Sequence, residues 1–467
     1  MKRKAGETVL VLINAVGLTP RLLEHAPRLK ALADAGWSTP VRDVLPAVTM
    51  SAQATILTGE PVDRHGIVGN GWLYRDTNEI RFWQQSNYLL EAEPFYATAK
   101  RRAAARNRKF KSAKVFWWFN QGADVDLSLT PKPHYGVDGN KVFGVSSTPE
   151  AFARTIEDRI GTFPFHTFWG PKAGLPSTRW IARAAAETVT LERPDLTMAY
   201  LPHLDYDPQR YGPGACDMRK LVRQLDDACE PLLDAAKNAG ADVWVVSEYG
   251  HCDVTMPVYL NRVLRDLGFL AVRHGPFGEQ LETFQSRAFA VVDHQLAHVY
   301  VRDPKDVKAV RDLLTGVPGV AKIYAGEERA DIGLDHPRAG ELILLAEPSA
   351  WFAYPFWLDD ANAPDYARAV AIHHKPGYDP AEMFFDPKLS FPMLRMMRKL
   401  AQKKIGLRTI FDVVPLDASI VRGSHGLMAV DPQDGPLLVG NGPRPSGSVL
   451  PMTAIRDLVL AKLGLAE

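Results

Sequence analysis

Three apolar runs constrain the fold of this chain more than any other feature of it. Each is six residues long and stops against polar side chains: 8–13 (TVLVLI) before Asn14, 196–201 (LTMAYL) before His203, Asp205, Asp207 and Gln209, and 242–247 (DVWVVS) before Glu248, Tyr249 and His251. They are too short for helices and lack the polar alternation of a strand with one wet face, so they read as strands buried on both sides. Apolar residues recur at helical spacing over 20–35, 178–191 and 218–238. Strands alternating with helices predict an α/β fold, a mostly parallel sheet sandwiched by helices. Ligands of such sheets bind beyond the C-terminal strand ends, which makes the polar residues closing the three runs candidates for a functional site.

The segment 256–414 has a different texture. Strand-like runs at 289–301 and 341–346 flank a helical pattern at 304–314, and an aromatic cluster follows at Trp351, Phe352, Tyr354, Phe356 and Trp357. It reads as a smaller α+β cap inserted into one core built from 1–255 and 415–467, with a last helix at 453–463. The basic run 100–111 (KRRAAARNRKFK) reads as a solvated helix face, with an anion-binding patch as the alternative.

Charge and cysteine usage remove several classes. Lys+Arg is 55 against 54 for Asp+Glu, a net charge of +1 that argues against a nucleic-acid polymer as partner. Cys216, Cys229 and Cys252 form no CxxC pair, so neither a disulfide framework nor a thiolate zinc site is expected. The basic start precedes a short apolar run, but Asn14 interrupts it and no small-residue cleavage site follows; a strand is expected there, not a secretory leader. No apolar run approaches the roughly 18 residues of a membrane span. The expected location is the cytoplasm, and a homo-oligomer is compatible with this composition.

The stretch 48–59 (VTMSAQATILTG) reads as an extended entry followed by a helix start. A hydroxyl there sits in the positive field of a helix N-terminus, which favours an alkoxide or a bound phosphate. Thr49 or Ser51 acting only as an N-cap is the alternative. Further pieces follow in order: Thr58-Gly59, His65-Gly66-Ile67, Asn70, Asp205 with Gln209, Gly212-Pro213, Ser247-Glu248-Tyr249-Gly250 and Ser424-His425-Gly426.

In order and spacing these pieces resemble the type I phosphodiesterase/nucleotide pyrophosphatase family of the alkaline phosphatase superfamily, over most of the chain. The resemblance implies an alkaline phosphatase-like core and two-step hydrolysis at two metal ions, with Thr49 as the nucleophile. It implies metal ligands at Asn14, Thr49, Asp205, Gln209, Glu248, Tyr249 and His425. It also implies a small phosphorylated substrate: a phosphodiester, a nucleotide pyrophosphate or a related phospho compound.

Several of these positions depart from the family pattern. Asn14 is neutral where an acid is usual, Gln209 replaces a histidine, and Glu248-Tyr249 replace Asp-His. An oxygen-rich set shifts preference from a zinc pair towards manganese or magnesium, so one or two ions of zinc, manganese or magnesium are expected. His203, His251, His294 and His298 are candidates to complete the set, whereas His65 is expected to brace the nucleophile helix. Asn70, Trp117 and Trp118 are the expected substrate-side residues, and Ala52 stands where the family has a phosphoryl-contacting asparagine. The aromatic cluster and 372–387 are expected to close over the site. The expected function is a metal-dependent phospho-hydrolase. The alternatives are different chemistry on the same fold, or a catalytically silent ligand-binding homologue.

Overall fold

Leu10–Ala15 (β1) is buried along its whole length, as a strand enclosed on both faces must be. It lies inside a nine-stranded sheet in the computed structural model, which describes residues 8–137, 141–404 and 409–467. The basic residues of the first seven positions lie outside the described residues. The other strands of this sheet are Trp37–Arg42 (β2), Ser112–Val115 (β3), Leu127–Pro131 (β4), Val145–Thr148 (β5), Leu196–Leu201 (β6), Asp242–Val246 (β7), Leu437–Gly440 (β8) and Leu450–Pro451 (β9). Their order is β9-β2-β8-β7-β1-β6-β3-β4-β5. The centre, from β7 through β1, β6 and β3 to β4, is parallel. Both neighbours of β8 and the β4–β5 pair are antiparallel. This is the expected α/β sheet.

Register places the site. Asn14 pairs with Tyr200 on one side and Val246 on the other, so β6, β1 and β7 end level with one another. The polar residues that follow them are thereby delivered to one edge.

The 20–35 pattern is divided into a short turn of helix, Pro20–Leu23, and a longer helix, Pro27–Ala35 (α1). Pro27 can only begin a helix, because an interior proline removes a hydrogen bond and clashes with the preceding turn. Thr49–Thr58 (α2) is buried at every residue. Phe95–Ala105 (α3), Leu175–Glu192 (α4), Met218–Ala239 (α5) and Ile455–Lys462 (α6) complete the principal helices of the core. None of the helices among the described residues is long and apolar enough to cross a membrane.

The basic run is exposed at Arg101, Arg106 and Lys109, as a solvated face is, while three of its arginines also reach the chain that follows α6. Arg102, Arg106 and Arg108 donate to the carbonyls of Leu465, Gly464 and Leu463 at 2.9, 2.6 and 3.0 Å, and Arg106 also reaches Ala466 O at 2.8 Å. These arginines satisfy carbonyls of the turn that follows α6, where a positive charge also complements the helix dipole.

The run 289–301 is a hairpin rather than one strand: Ala288–Asp293 and Leu296–Val301 pair antiparallel around His294, which takes a left-handed φ of 59°. With Leu342–Ala346 and Val320–Ala325 they form a four-stranded antiparallel sheet. This sheet has its own hydrophobic cluster, including Leu264, Val291, Val299, Leu344, Phe352 and Trp357. The turn lacks Gly, Pro and Asn, the residues that usually announce such a reversal, so its sequence reads straight through.

One buried carboxylate joins α1 to α5. Asp226 accepts from the backbone N–H groups of Arg28 and Leu29, both at 3.0 Å, and pairs with the Arg28 guanidinium at 3.2 Å. It caps a helix whose own preceding residue, Ala26, provides no side-chain cap. Asp226→Ala strands these donors in the interior and is expected to cost about 3 kcal/mol in urea-denaturation stability.

Candidate active site

The helix that begins at Thr49 is placed by a three-way clip. Ala47 N donates to Gly426 O at 3.0 Å, and His425 Nδ1 lies 2.8 Å from Ala47 O. Gln295 N of the hairpin turn donates to His425 O at 3.1 Å. Thr49 is the first residue inside α2, and Val48 precedes it without a side-chain cap. Its hydroxyl is therefore not used as an N-cap. Ser51 donates to Ile67 O at 2.7 Å. Asn70 Oδ1 accepts from Met50 N at 3.0 Å, so Asn70 holds the helix start. His65 accepts from Ile67 N and lies 3.0 Å from the Thr55 hydroxyl, bracing the helix as the sequence reading expects. Burial pushes the His65 imidazole down to about 3 and keeps it neutral.

Oδ1 of Asp205 is the focus of the site. Gln209 Nε2 lies 2.8 Å from it, His251 Nε2 3.0 Å, the Tyr249 hydroxyl 3.3 Å and His425 Nε2 3.8 Å. Ligand atoms of Asp205, His251 and His425 all lie within 4.8 Å of one another. With Nδ1–H of His425 directed at Ala47 O, its Nε2 lone pair faces the cluster, the tautomer a metal ligand needs. Burial first, then the neighbouring His294 and His251, hold His425 well below the usual imidazole range, hence neutral. His251 is fitted against Gly17: a Cβ there would come within 3.0 Å of its Cε1 and 3.2 Å of its Nδ1, on a backbone with φ +75°. One carboxylate and two imidazoles converging in this way fit a single divalent ion.

The other half of the site is different in kind. Glu248 Oε1 accepts from Asn14 Nδ2 at 2.5 Å and from Gln53 Nε2 at 2.7 Å. Gln53 Oε1 accepts in turn from Trp118 N at 2.9 Å. Burial raises the Glu248 carboxyl to about 8, against the lowering effect of the Asn14 and Gln53 amides. The Thr49 hydroxyl lies 2.9 Å from that of Tyr249, with Tyr200 also beside it. Burial, then the charges of Asp205 and Glu248, hold the Tyr249 phenol far above its ordinary range, so it remains a neutral hydroxyl. Asn14, Thr49, Glu248 and Tyr249 thus form a hydrogen-bonded cage around one carboxyl group, in which Asn14 Oδ1 and Glu248 Oε2 are buried without a hydrogen-bond partner. Gln209 is engaged at both ends: its amide donates to Asp205, and its oxygen accepts from the Tyr378 hydroxyl at 2.5 Å.

Of the four additional histidines, His251 joins the cluster directly. His294 borders it, with Nδ1 2.7 Å from Asp293 Oδ1 and its ring between those of His425 and Tyr378 at 3.7 and 3.8 Å. His203 instead faces Gln224 at 3.1 Å. His298 lies 2.9 Å from Val68 O and accepts from Gly340 N, which occupies both ring nitrogens in structural bonds. Burial lowers both His203 and His298 to about 4. On the expected substrate side, Asn70 is committed to Met50 and Asp293, and Trp117 is fully buried. Trp118 packs against Trp83 at 5.3 Å and fixes Gln53 through its backbone. The two tryptophans form wall and core rather than an open slot.

Four residues at the site carry no motif in the sequence: Gln53, Tyr200, Asp293 and Tyr378. Tyr200 could be found only through its register with Asn14. Gln53 lies one helical turn after Thr49, a spacing that places both on one face of α2. Asp293 and Tyr378 arrive through tertiary packing alone.

An α/β core with a carboxylate–imidazole cluster at its strand ends and a hydroxyl at a buried helix start defines an alkaline phosphatase-like protein. The sequence matches the family model for type I phosphodiesterase / nucleotide pyrophosphatase over residues 10–379, and the chain belongs to that family. Its relatives include ectonucleotide pyrophosphatase/phosphodiesterase family member 7 of Rattus norvegicus, 24% identical over 304 residues that make up 60% of either chain. The Homo sapiens family member 7 is 26% identical over 303 residues, 59% of this chain and 57% of the relative. The chain thus spans about three fifths of the length of these curated relatives. Similar solved structures include inactive murine ectonucleotide pyrophosphatase / phosphodiesterase 5 in complex with AMP, with a TM-score of 0.58, 16% identity and coverage of 98% and 96% of the two chains. Phosphonoacetate hydrolase from Sinorhizobium meliloti 1021 in complex with phosphonoformate has a TM-score of 0.59, 14% identity and coverage of 99% and 96%.

The Glu248 shift has a definite sign. A carboxyl whose folded value is about 8 instead of 4.5 keeps a proton that the unfolded chain releases, so metal-stripped protein loses stability as pH rises between those values. Glu248→Gln removes this loss. In chelator-treated protein the difference in melting temperature, variant minus wild type, is expected to grow in the variant's favour from about pH 5 to about pH 9.

Proposed function

We propose that this chain is a divalent-metal-dependent hydrolase of small phosphoesters or phosphoanhydrides, with Thr49 as its nucleophile. The observation that carries this reading is the chain of contacts from the Thr49 hydroxyl to Tyr249 at 2.9 Å and on to Asp205 at 3.3 Å, beside the Asp205–His251–His425 cluster. Those three residues would hold the ion. When bound, it supplies Lewis-acid stabilisation of charge on phosphoryl oxygen.

The protein's own residues account for the rest. Thr49 stands at the N-terminus of a fully buried helix, whose free N–H groups favour negative charge on its oxygen and on a phosphoryl group. Thr49 can donate to Tyr249 while Tyr249 donates to Asp205, which gives the hydroxyl proton a path away from the oxygen that attacks phosphorus. The new O–P bond forms as the ester or anhydride bond on the opposite side breaks, and water then releases the phosphoryl group from Thr49. Thr49, Asp205 and His425 are all buried, and Tyr378 of the 372–387 segment covers them through Gln209 and His294. Entry of substrate requires that segment to move, and the closed site would exclude water during transfer.

The test is a panel of phosphodiesters, phosphomonoesters, nucleoside polyphosphates and phosphonates, each with manganese, magnesium and zinc. Phosphonates are included because one structural relative is a phosphonoacetate hydrolase. Cleavage of at least one phosphoester or phosphoanhydride is expected, and Thr49→Ala should lower kcat by about 100-fold or more. Tyr249→Phe should lower it by about 10-fold, because the hydroxyl loses its partner while the nucleophile remains. Acid-quenched turnover should leave a phosphoryl adduct on the Thr49 peptide, detected by mass spectrometry. Turnover of phosphonates alone, or unchanged turnover in Thr49→Ala, would reject this reading in favour of different chemistry on the same fold. No turnover with any metal would leave a ligand-binding role.

A further inference from the structure

The helix Pro392–Lys404, which follows the segment covering the site, keeps an apolar stripe in water. Phe391, Leu394 and Met397 are 77%, 64% and 63% exposed, a grouping unlike the single apolar residues scattered over ordinary surfaces. Arg395 N donates to Phe391 O at 3.1 Å, so Phe391 stands at the entry of the helix, on a left-handed φ of 58°. Leu394, Met397, Arg398 and Ala401 share one face at three- and four-residue spacing, and all four are exposed. The opposite face is fastened to the protein. Met396 packs against the cluster of Ala381, Val413 and Val414. Lys399 pairs with Asp412 at 3.3 Å, and Arg395 pairs with the same carboxylate. The helix thus already has an inner face, and the outward stripe is a second apolar surface that the fold does not cover.

Charge decides what would cover it. Residues 388–408 hold seven basic side chains and no acidic one, in a chain whose net charge is only +1. Asp412 engages two of them, Arg395 and Lys399, whereas Lys388 and Arg398 are exposed beside the stripe. Two copies meeting through this face would set cation against cation. An anionic bilayer offers an apolar layer for the stripe and phosphates for the cations. We propose that the helix Pro392–Lys404 docks this protein on an anionic lipid surface. Phe391, Leu394 and Met397 enter the boundary between headgroups and acyl chains, and Lys388 and Arg398 meet lipid phosphates. With 13 residues the helix lies in the plane of the surface and does not cross it. The proposal concerns where the protein sits and is independent of the reaction assigned to it.

The experiment is co-sedimentation of the full-length protein with vesicles of phosphatidylcholine alone and of an equal mixture of phosphatidylcholine and phosphatidylglycerol. Binding to the mixed vesicles should be tighter by about 10-fold or more, and raising sodium chloride from about 0.1 M to about 1 M should release the protein. Leu394→Ser combined with Met397→Ser should weaken binding about 10-fold, as should Lys388→Glu combined with Arg398→Glu. All four side chains are exposed, so the melting temperature followed by circular dichroism should stay unchanged. In the wild type, amide hydrogen exchange across 391–401 should slow when mixed vesicles are added. No binding to mixed vesicles would overturn the proposal, as would full binding by either double variant or protection of another face instead of 391–401. A wild-type dimer that Leu394→Ser with Met397→Ser dissociates, without vesicle binding, would overturn it in favour of a second copy. Binding to polyglutamate but not to vesicles would overturn it in favour of an acidic protein partner. Should a double variant fold poorly, the exchange pattern of the wild type still decides.

Discussion

A single carboxylate oxygen organises the site. Oδ1 of Asp205 follows β6, yet the groups gathered on it come from the turn after β6, the loop after β7 and the C-terminal segment that carries His425. A buried carboxylate is costly unless donors or a cation surround it, so the pieces that reach Asp205 are held there by its own need for partners. The parallel register of β6, β1 and β7 makes the meeting geometrically cheap, since the three strands end level. Sheet topology supplies the coarse placement and Asp205 the final convergence.

The same constraint explains why the two halves of the site diverge. Asp205 keeps imidazoles around it: where Gln209 replaces a histidine at the usual place, His251 enters from the next strand loop against the cradle at Gly17. Glu248 instead gathers amides. Asn14 at the end of β1 and Gln53 on α2 both reach one oxygen, and Trp118 determines which end of Gln53 does so. Asn14, Gln53 and Glu248, from three separate elements, thus share one consistent hydrogen-bond pattern.

The parallel core was legible because buried strands announce themselves by uniform apolarity. The runs at 8–13, 196–201 and 242–247 needed no partner to be read, and their polar ends marked one edge. Thr49, Asp205, Glu248 and His425 were legible through motif order. His298 and His203 were not separable from His251 in sequence, since all three sit beside strands with apolar neighbours. Only packing decides that His298 spends its nitrogens on Val68 and Gly340 while His251 faces Asp205. The hairpin at His294 was hidden because its turn uses Asp-His-Gln where glycine or asparagine would have signalled it. The role of Gln53 depended on the Trp118 backbone N–H, a partner no local pattern reveals.

The 372–387 segment and Thr49 are joined through packed side chains. Tyr378 stacks on His294 at 3.8 Å, His294 on His425 at 3.7 Å, and His425 on Tyr249 at 3.8 Å, with the last two rings inclined by only 9°. Tyr249 then meets Thr49. This column of rings runs from Tyr378 to the Thr49 hydroxyl, and it passes through His425 of the Asp205 cluster. Close-packed interiors transmit displacement because they have no slack, so withdrawing Tyr378 removes the outer support of His294 and, through it, of His425. His294 is pinned from the other side by Asp293, which also holds Asn70 and hence the start of α2. Tyr378 thereby completes the packing that aligns His425 and Tyr249 with Thr49.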